Sequence, residues 1–171
     1  MKAALTGFMA SGKTTFGRAA AERLGWRFID LDKVIEERHG TASAIFEEHG
    51  EDFFRGMESR CLSDILSEEG DAVLALGGGT VLSLRNREML KRLAMVIWLD
   101  TSWEIILSEM DNADRPLAKG RTEAQIRELY DSRRPVYNAV ADATVTIDSQ
   151  DYTKAIKDLA DTIQRLASAG Q

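Results

Sequence analysis

The protein has 171 residues, of which 44% are apolar and 29% charged, and its formal net charge is -6. This length favours one domain with a buried core, and the composition excludes collagen-like, low-complexity and disordered chains. The acidic net charge argues against a general nucleic-acid surface, so we expect no binding to nucleic acid. No apolar run approaches the roughly 20 residues of a membrane helix, so we expect a cytoplasmic protein that does not bind membranes.

Short strand-like runs alternate along the chain with longer segments of helical period, which is typical of an α/β fold with a parallel sheet covered by helices. We predict five strands, at Lys2–Thr6, Arg27–Asp30, Ala72–Leu76, Met95–Leu99 and Thr144–Ile147. Helices are predicted at 13–24, 31–38, 51–69, 84–92, 102–110, 122–133 and 152–168, with a short helical turn at 42–48. The polar stretch Asp111–Arg121 shows neither period, and we expect it to be a mobile loop.

A phosphate-binding motif follows the first predicted strand. Residues 7–14 read GFMASGKT, which matches GxxxxGK[ST] in full. Between a strand and a helix, such glycines let backbone N–H groups surround phosphate oxygens, and the helix N-terminus favours negative charge. We expect Lys13 to bridge the β- and γ-phosphates of a nucleotide and the Thr14 hydroxyl to bind Mg²⁺. The residues expected at the nucleotide phosphates are Ala10, Ser11, Gly12, Lys13, Thr14 and Thr15.

Two carboxylates follow each other closely at the end of the second strand. Open parallel sheets bind ligands beyond the carboxyl ends of their strands. The second strand ends in Asp30-Leu31-Asp32, whereas the third ends in glycines and supplies no acid before Glu88. We therefore assign Asp30 to the metal shell and Asp32 to the acceptor hydroxyl, as a base or a positioning group. The alternative is that the pair only caps the following helix.

Three consecutive glycines follow the third strand, namely Gly77, Gly78 and Gly79. Such a run lets a small molecule approach the main chain closely and be held by its N–H groups. A merely flexible loop is the alternative interpretation. The glycines are therefore candidates for the acceptor site.

Three arginines are further candidates. Arg55 lies three residues before Glu58, which is the spacing at which a carboxylate can orient a guanidinium on a helix. Arg115 lies in the predicted mobile loop, and Arg133 begins the run RRPVY. Taken alone, none of these positions distinguishes a ligand contact from a solvated surface charge.

Together these segments resemble the shikimate kinases, a family in the nucleoside-monophosphate-kinase-like group of P-loop folds. The resemblance covers roughly residues 3–148 and rests on six ordered blocks. The blocks are Gly7–Thr14, Asp30-Leu31-Asp32, the run from Ile45 to Glu58, Gly77–Gly79, Arg115-Pro116-Leu117, and Arg133-Arg134-Pro135-Val136-Tyr137. The resemblance implies one three-layer kinase domain over 1–171 with a five-stranded parallel sheet in the order 2-3-1-4-5. It also implies a shikimate-binding region at about 31–60 and a lid at about 111–121.

The same resemblance implies ATP-dependent phosphorylation of the 3-hydroxyl of shikimate, in the route to aromatic amino acids, with Mg²⁺ as cofactor. Lys13, Asp32 and Arg115 would be catalytic, with Asp32 at the reacting hydroxyl and Arg115 reaching the nucleotide and the transferring phosphate from the lid. Arg55 and Arg133 would bind the shikimate carboxylate together with Gly77, Gly78 and Gly79. Asp30 would bind Mg²⁺ through water, and Glu58 would orient Arg55. We expect a monomer whose partners are ATP and shikimate.

Some positions depart from the family pattern or leave a choice open. Ala10 stands where the family commonly has glycine, so this residue must have a negative φ or carry strain of about 1 kcal/mol. Arg134 adjoins Arg133, and the spacing to Pro135 favours Arg133 as the carboxylate ligand without excluding Arg134. The alternative functions are a related kinase acting on gluconate or a nucleotide, and a catalytically silent nucleotide-binding module.

Overall fold

The computed structural model describes residues 1–110, 120–149 and 151–169. The strands of this part are β1 (Lys2–Thr6), β2 (Arg27–Asp30), β3 (Ala72–Ala75), β4 (Met95–Thr101) and β5 (Ala143–Ile147). Its helices are α1 (Lys13–Leu24), α2 (Leu31–His39), α3 (Ala42–His49), α4 (Glu51–Ser67), α5 (Leu84–Leu93), α6 (Trp103–Met110), α7 (Glu123–Val140) and α8 (Tyr152–Ala169), with a 3₁₀ turn at Thr80–Leu82. Within these ranges no helix combines the length and the apolar character needed to cross a membrane.

The five strands form one parallel sheet in the order β2-β3-β1-β4-β5. This is the order predicted from the family resemblance, and the predicted fold class is confirmed. Both faces are covered: Ala4 of β1 packs with Leu62 of α4, while its neighbours Ala3 and Leu5 pack with Leu159 of α8. Burial on both faces explains why the three central strands, β1, β3 and β4, are mostly apolar, whereas the edge strands β2 and β5 also have exposed residues.

Side-chain caps determine where several helices begin. Asp30 caps α2, because its Oδ1 accepts a hydrogen bond from the Lys33 backbone nitrogen at 3.4 Å. Thr41 caps α3 in the same way, so the segment predicted as a short turn is a helix of eight residues. Thr122 and Gln125 form a reciprocal capping box at the start of α7. Because Asp30 ends β2, its cap places the first turn of α2 at the carboxyl edge of the sheet.

Helix α7 is longer than the sequence pattern predicts. The predicted end lies at residue 133, whereas the helix continues to Val140 with Pro135 inside it. A proline in a helix removes one backbone hydrogen bond and costs about 3 kcal/mol. The added turns bury Tyr137, which is 1% exposed and donates its hydroxyl to Gly78 O at 2.7 Å. Burial of a large side chain contributes roughly 1.5–3 kcal/mol, which together with this hydrogen bond offsets the cost of the proline.

Candidate active site

The phosphate loop connects β1 to α1 in the predicted strand–loop–helix arrangement. Gly12 closes the loop with a φ of 84°, and α1 begins at the next residue. The Lys13 ammonium donates to Gly7 O at 3.0 Å and to Ser11 Oγ at 3.3 Å, so it lies against the loop. The Thr101 hydroxyl at the end of β4 donates to Ser11 O at 3.0 Å and ties the loop to the sheet. These hydrogen bonds hold the loop together and fix it to the sheet.

Ala10 is a strained residue of this loop. Its φ is 61°, and within the described residues it is the one non-glycine residue with a positive φ. Of the two possibilities open for this position, the strained one is present, and the left-handed conformation costs roughly 1–2 kcal/mol for a residue with a β-carbon.

We expect Ala10→Gly to leave the free energy of unfolding unchanged or to raise it by up to about 1 kcal/mol, because relief of strain exceeds the extra entropy of an unfolded glycine. The matched control is Ala20→Gly, since Ala20 is buried inside α1 and is not among the positive-φ residues. This control should lose about 1 kcal/mol or more. Urea unfolding measures both, and equal losses in the two variants would contradict the assignment of strain to Ala10.

Asp30 and Thr14 meet at the N-terminus of α1. The Thr14 hydroxyl donates to Asp30 Oδ2 at 2.7 Å, while Oδ1 of the same carboxylate caps α2. Capping therefore accounts for Asp30 and not for Asp32. Hydroxyl and carboxylate oxygens are ligands that Mg²⁺ prefers. No described group of three or more His, Cys, Asp or Glu side chains is arranged to hold a metal, so an ion at Thr14 and Asp30 would take its other ligands from phosphates and water.

Asp32 lies among charges of both signs. Burial raises the pKa of Asp32 to about 6, and the negative charges of Asp30 and Glu58 act in the same direction. Lys13 and Arg55 lower the pKa but do not reverse the shift. A carboxylate whose pKa lies near neutrality is suited to accept a proton from a reacting hydroxyl.

Arg55 is held by two carboxylates of its own helix. Its Nη1 donates to Glu58 Oε2 at 3.0 Å, and its Nη2 donates to Glu51 Oε1 at 3.3 Å. Glu58 is 1% exposed, and its second oxygen accepts a hydrogen bond from Thr80 Oγ1 at 2.7 Å. The predicted contact between Arg55 and Glu58 is present. The sequence reasoning missed Glu51, although its i,i+4 spacing was a usable signal, and Thr80, which no local spacing indicates.

The three glycines after β3 lie against the candidate side chains. A β-carbon added at Gly77 would lie 2.7 Å from Asp32 Oδ1, and one added at Gly79 would lie 2.7 Å from Arg55 Nη2. At Gly78 it would lie 3.5 Å from a backbone nitrogen of the phosphate loop. None of the three has a positive φ. Glycine at positions 77 and 79 leaves room for the side chains of Asp32 and Arg55, whereas the approach of a substrate to the main-chain N–H groups stays a prediction.

Two consecutive arginines of α7 point in different directions. Arg133 is 9% exposed and donates through Nη1 to Gly78 O at 3.4 Å. Arg134 forms an ion pair with Asp100, with Nη2 and Oδ2 3.0 Å apart, and stacks over Trp98 with its guanidinium carbon 5.1 Å from the ring centroid. Thus Arg133 faces the glycines, while Arg134 anchors α7 to β4. Of the two arginines, Arg133 is the one beside Gly78, and its role as the carboxylate ligand stays a prediction.

The described candidates gather at one edge of the sheet, beyond the carboxyl ends of β1, β2 and β3. This group comprises Ala10, Ser11, Gly12, Lys13, Thr14, Thr15, Asp30, Asp32, Arg55, Glu58, Gly77, Gly78, Gly79 and Arg133. Arg115 and most of the predicted lid lie outside the described residues. One site thus contains the phosphate-binding loop, the carboxylate of Asp32 and the guanidinium groups of Arg55 and Arg133.

The chain is similar to known shikimate kinases over nearly its whole length. A family model described as shikimate kinase matches residues 9–164. A shikimate kinase of Sulfurihydrogenibium sp. is 37% identical over 94% of this chain and 96% of its own length. One of Geobacter sulfurreducens is 40% identical over 96% of this chain and 87% of its own length. A solved shikimate kinase from Acinetobacter baumannii, in complex with shikimate, superimposes with a TM-score of 0.86 at 36% identity, covering 99% of this chain and 94% of that one. On sequence and on fold, the chain belongs to the shikimate kinase family.

Proposed function

We propose that the protein is a kinase that transfers the γ-phosphoryl group of ATP to the 3-hydroxyl of shikimate, giving shikimate 3-phosphate and ADP. The observation that carries this proposal is the position of Gly77–Gly79, which touch Asp32 and Arg55 on one side and approach the phosphate loop on the other. A hydroxy acid needs cations for its carboxylate and an acceptor for its hydroxyl proton. Arg55, Arg133 and Asp32 supply both kinds of group.

At the nucleotide end the protein provides charge and position. Phosphoryl transfer needs alignment and neutralisation of charge more than it needs covalent help. Lys13 and the backbone N–H groups of Ala10–Thr15 bind the phosphate oxygens. Thr14 would bind Mg²⁺ directly and Asp30 through water, and the ion would supply positive charge at the nucleotide phosphates. The assignment of Arg115 to the transferring phosphate rests on the family resemblance.

At the acceptor end Asp32 orients the hydroxyl and takes its proton. With a pKa of about 6 the carboxylate is still mostly ionised at pH 7, and it is more basic than an ordinary carboxylate. Arg55 and Arg133 hold the acceptor carboxylate, and Glu58 orients Arg55 through the hydrogen bond at 3.0 Å. The monomeric state and the cytoplasmic location remain predictions; sedimentation of the purified protein tests the first.

The deciding experiment supplies the purified protein with MgATP and a panel of acceptors: shikimate, gluconate and nucleoside monophosphates. Release of ADP is followed by a coupled assay, and the product is identified by ³¹P NMR. Among these acceptors, we expect turnover only with shikimate. Turnover with gluconate or a nucleotide but not with shikimate would contradict the proposal, and ATP binding in calorimetry without phosphorylation of any acceptor would indicate a silent module.

The raised pKa of Asp32 predicts an acid limb in the pH profile. We expect kcat/KM to rise tenfold per pH unit below about pH 6 and to become constant above it, because only the ionised carboxylate accepts the proton. The assay uses excess Mg²⁺ to keep the nucleotide phosphates ionised, and a ¹³C titration of the Asp32 carboxyl gives the same midpoint independently. A limb near the ordinary carboxyl pKa of about 4 would contradict the role of burial.

A further inference from the structure

A buried chain of hydrogen bonds extends from α5 to the Arg55 guanidinium. Asn86, which is fully buried in α5, donates through Nδ2 to Thr80 O at 2.9 Å. The Thr80 hydroxyl donates to Glu58 Oε1 at 2.7 Å, and Glu58 Oε2 accepts from Arg55 Nη1 at 3.0 Å. Thr80 and Glu58 are also buried. The direction of Arg55 therefore depends in part on buried groups, beside its contact with the exposed Glu51.

Thr80 is fixed at both of its backbone groups. Its N–H donates to Gly77 O at 3.1 Å, and its carbonyl accepts the hydrogen bond from Asn86. The hydroxyl is thus presented to Glu58 from a rigid turn. A donor on a rigid element holds a carboxylate more precisely than one on a mobile side chain, since fewer rotamers must be restricted.

Glu58 needs two donors because its carboxylate is buried. Arg55 satisfies one oxygen and Thr80 the other. Without the Thr80 hydroxyl, Oε1 would be a buried anionic oxygen without a donor, which is strongly unfavourable. The carboxylate would then rotate to share Arg55 between both oxygens, and this rotation moves the guanidinium away from its present direction.

We propose that Thr80 is a positioning residue of the active site, which sets the direction of the Arg55 guanidinium by holding Glu58 and so controls how tightly the acceptor carboxylate binds. The proposal rests on the proposed function for the identity of the acceptor. Thr80 acts through Glu58 and does not itself contact the reacting atoms. The nucleotide site, by contrast, is built on the phosphate loop between β1 and α1.

The test compares Thr80→Val, which removes the hydroxyl at equal size, with Thr80→Ser, which keeps it. We expect Thr80→Val to raise KM for shikimate about tenfold, corresponding to about 1.4 kcal/mol, and to change KM for MgATP less than about twofold. Thr80→Ser should recover most of the loss. The matched control is Thr6→Val, because Thr6 is equally buried and its hydroxyl has no hydrogen-bond partner; both KM values should stay unchanged there.

A double-mutant cycle tests whether Thr80 acts through Glu58. If it does, adding Thr80→Val to Glu58→Ala should change KM for shikimate by less than about twofold. The proposal is overturned if Thr80→Val has the same effect with and without Glu58, or if it raises both KM values equally. If circular dichroism shows that Thr80→Val does not fold, Thr80→Ala is used in its place. It also lacks the hydroxyl, and we expect the same changes in KM.

A readout without turnover separates this proposal from the proposed function. Phenylglyoxal modifies accessible guanidinium groups, and mass spectrometry gives the rate at each arginine. We expect Thr80→Val to speed modification of Arg55 several-fold relative to the exposed Arg127, and Thr80→Ser not to do so. If the parent protein does not phosphorylate shikimate, the proposed function fails. An unchanged rate at Arg55 overturns the role of Thr80.

Discussion

Asp32→Asn is expected to lower kcat about 10³-fold and to change the affinity for MgATP by less than about twofold. Asparagine keeps the size of the side chain and one oxygen acceptor, but it cannot take up the hydroxyl proton. The phosphate loop, which binds the nucleotide, lies on a separate element and keeps its hydrogen bonds to Lys13 and Thr101. Turnover in the coupled assay and calorimetric titration with MgATP measure the two quantities.

The matched control for this variant is Asp52→Asn, at an exposed carboxylate in the first turn of α4. It makes the same chemical change outside the site and should leave kcat within about twofold of the parent. An unchanged rate in Asp32→Asn would remove Asp32 from the acceptor site. A loss of MgATP affinity equal to the loss of turnover would instead indicate that the phosphate loop has been disturbed.

Asp32→Asn is also expected to raise the free energy of unfolding at high pH. Because burial raises the pKa of Asp32 to about 6, the folded protein retains between about pH 4 and pH 6 a proton that the unfolded chain releases. Stability from this group therefore falls as the pH rises through that interval and stays low above it. At pH 8, Asp32→Asn should be about 1–3 kcal/mol more stable than the parent, and the difference should vanish below about pH 4. Urea unfolding at the two pH values checks this.

Gly77→Ala is expected to reduce kcat/KM for shikimate about 10²-fold, because the added methyl group displaces the Asp32 carboxylate. Its β-carbon would lie 2.7 Å from Asp32 Oδ1 and 3.1 Å from both Glu58 Oε1 and Thr80 Oγ1. The backbone at Gly77 does not have a positive φ, so alanine is acceptable there in conformation. The whole effect is therefore steric and falls on the acceptor site, and the affinity for MgATP should change by less than about threefold.

Gly56→Ala is the matched control for Gly77→Ala. Gly56 lies in α4, and a β-carbon there meets no atom within 4 Å. The substitution should raise the free energy of unfolding by about 0.5–1 kcal/mol, since alanine favours the helix. Steady-state kinetics with each substrate varied in turn distinguishes the two variants. Wild-type kcat/KM in Gly77→Ala would show that Asp32 is not where the reaction needs it.

Residues that share a strand end could be placed from the sequence. Lys13 and Asp32 follow β1 and β2, and in a parallel sheet such positions meet at one edge whatever the details of packing. Thr80 could not be placed, because its contact with Glu58 joins residues 22 positions apart on separate elements. Periodicity describes which face of an element is buried and not which polar atoms meet across two elements.

Helix α7 illustrates the same limit. A proline is normally a sign that a helix ends, so a local pattern stops before Tyr137. The helix continues because the ring of Tyr137 is buried and its hydroxyl reaches Gly78 O, a contact between positions 59 residues apart. The direction of Arg133 depends on that continuation, which explains why the sequence alone left Arg133 and Arg134 as alternatives.

The coverage of both sheet faces has a practical consequence for protein engineering. The acceptor site draws its side chains from α2, α4 and α7, whereas the core of α8 around Leu159 and Ile163 lies across the sheet. Substitutions that improve the packing between α8 and β5 can therefore raise the melting temperature without changing the residues proposed to bind the acceptor. Random searches for a more stable protein are best confined to α8 and β5, because α1, which packs in the same cluster, carries Lys13 and Thr14.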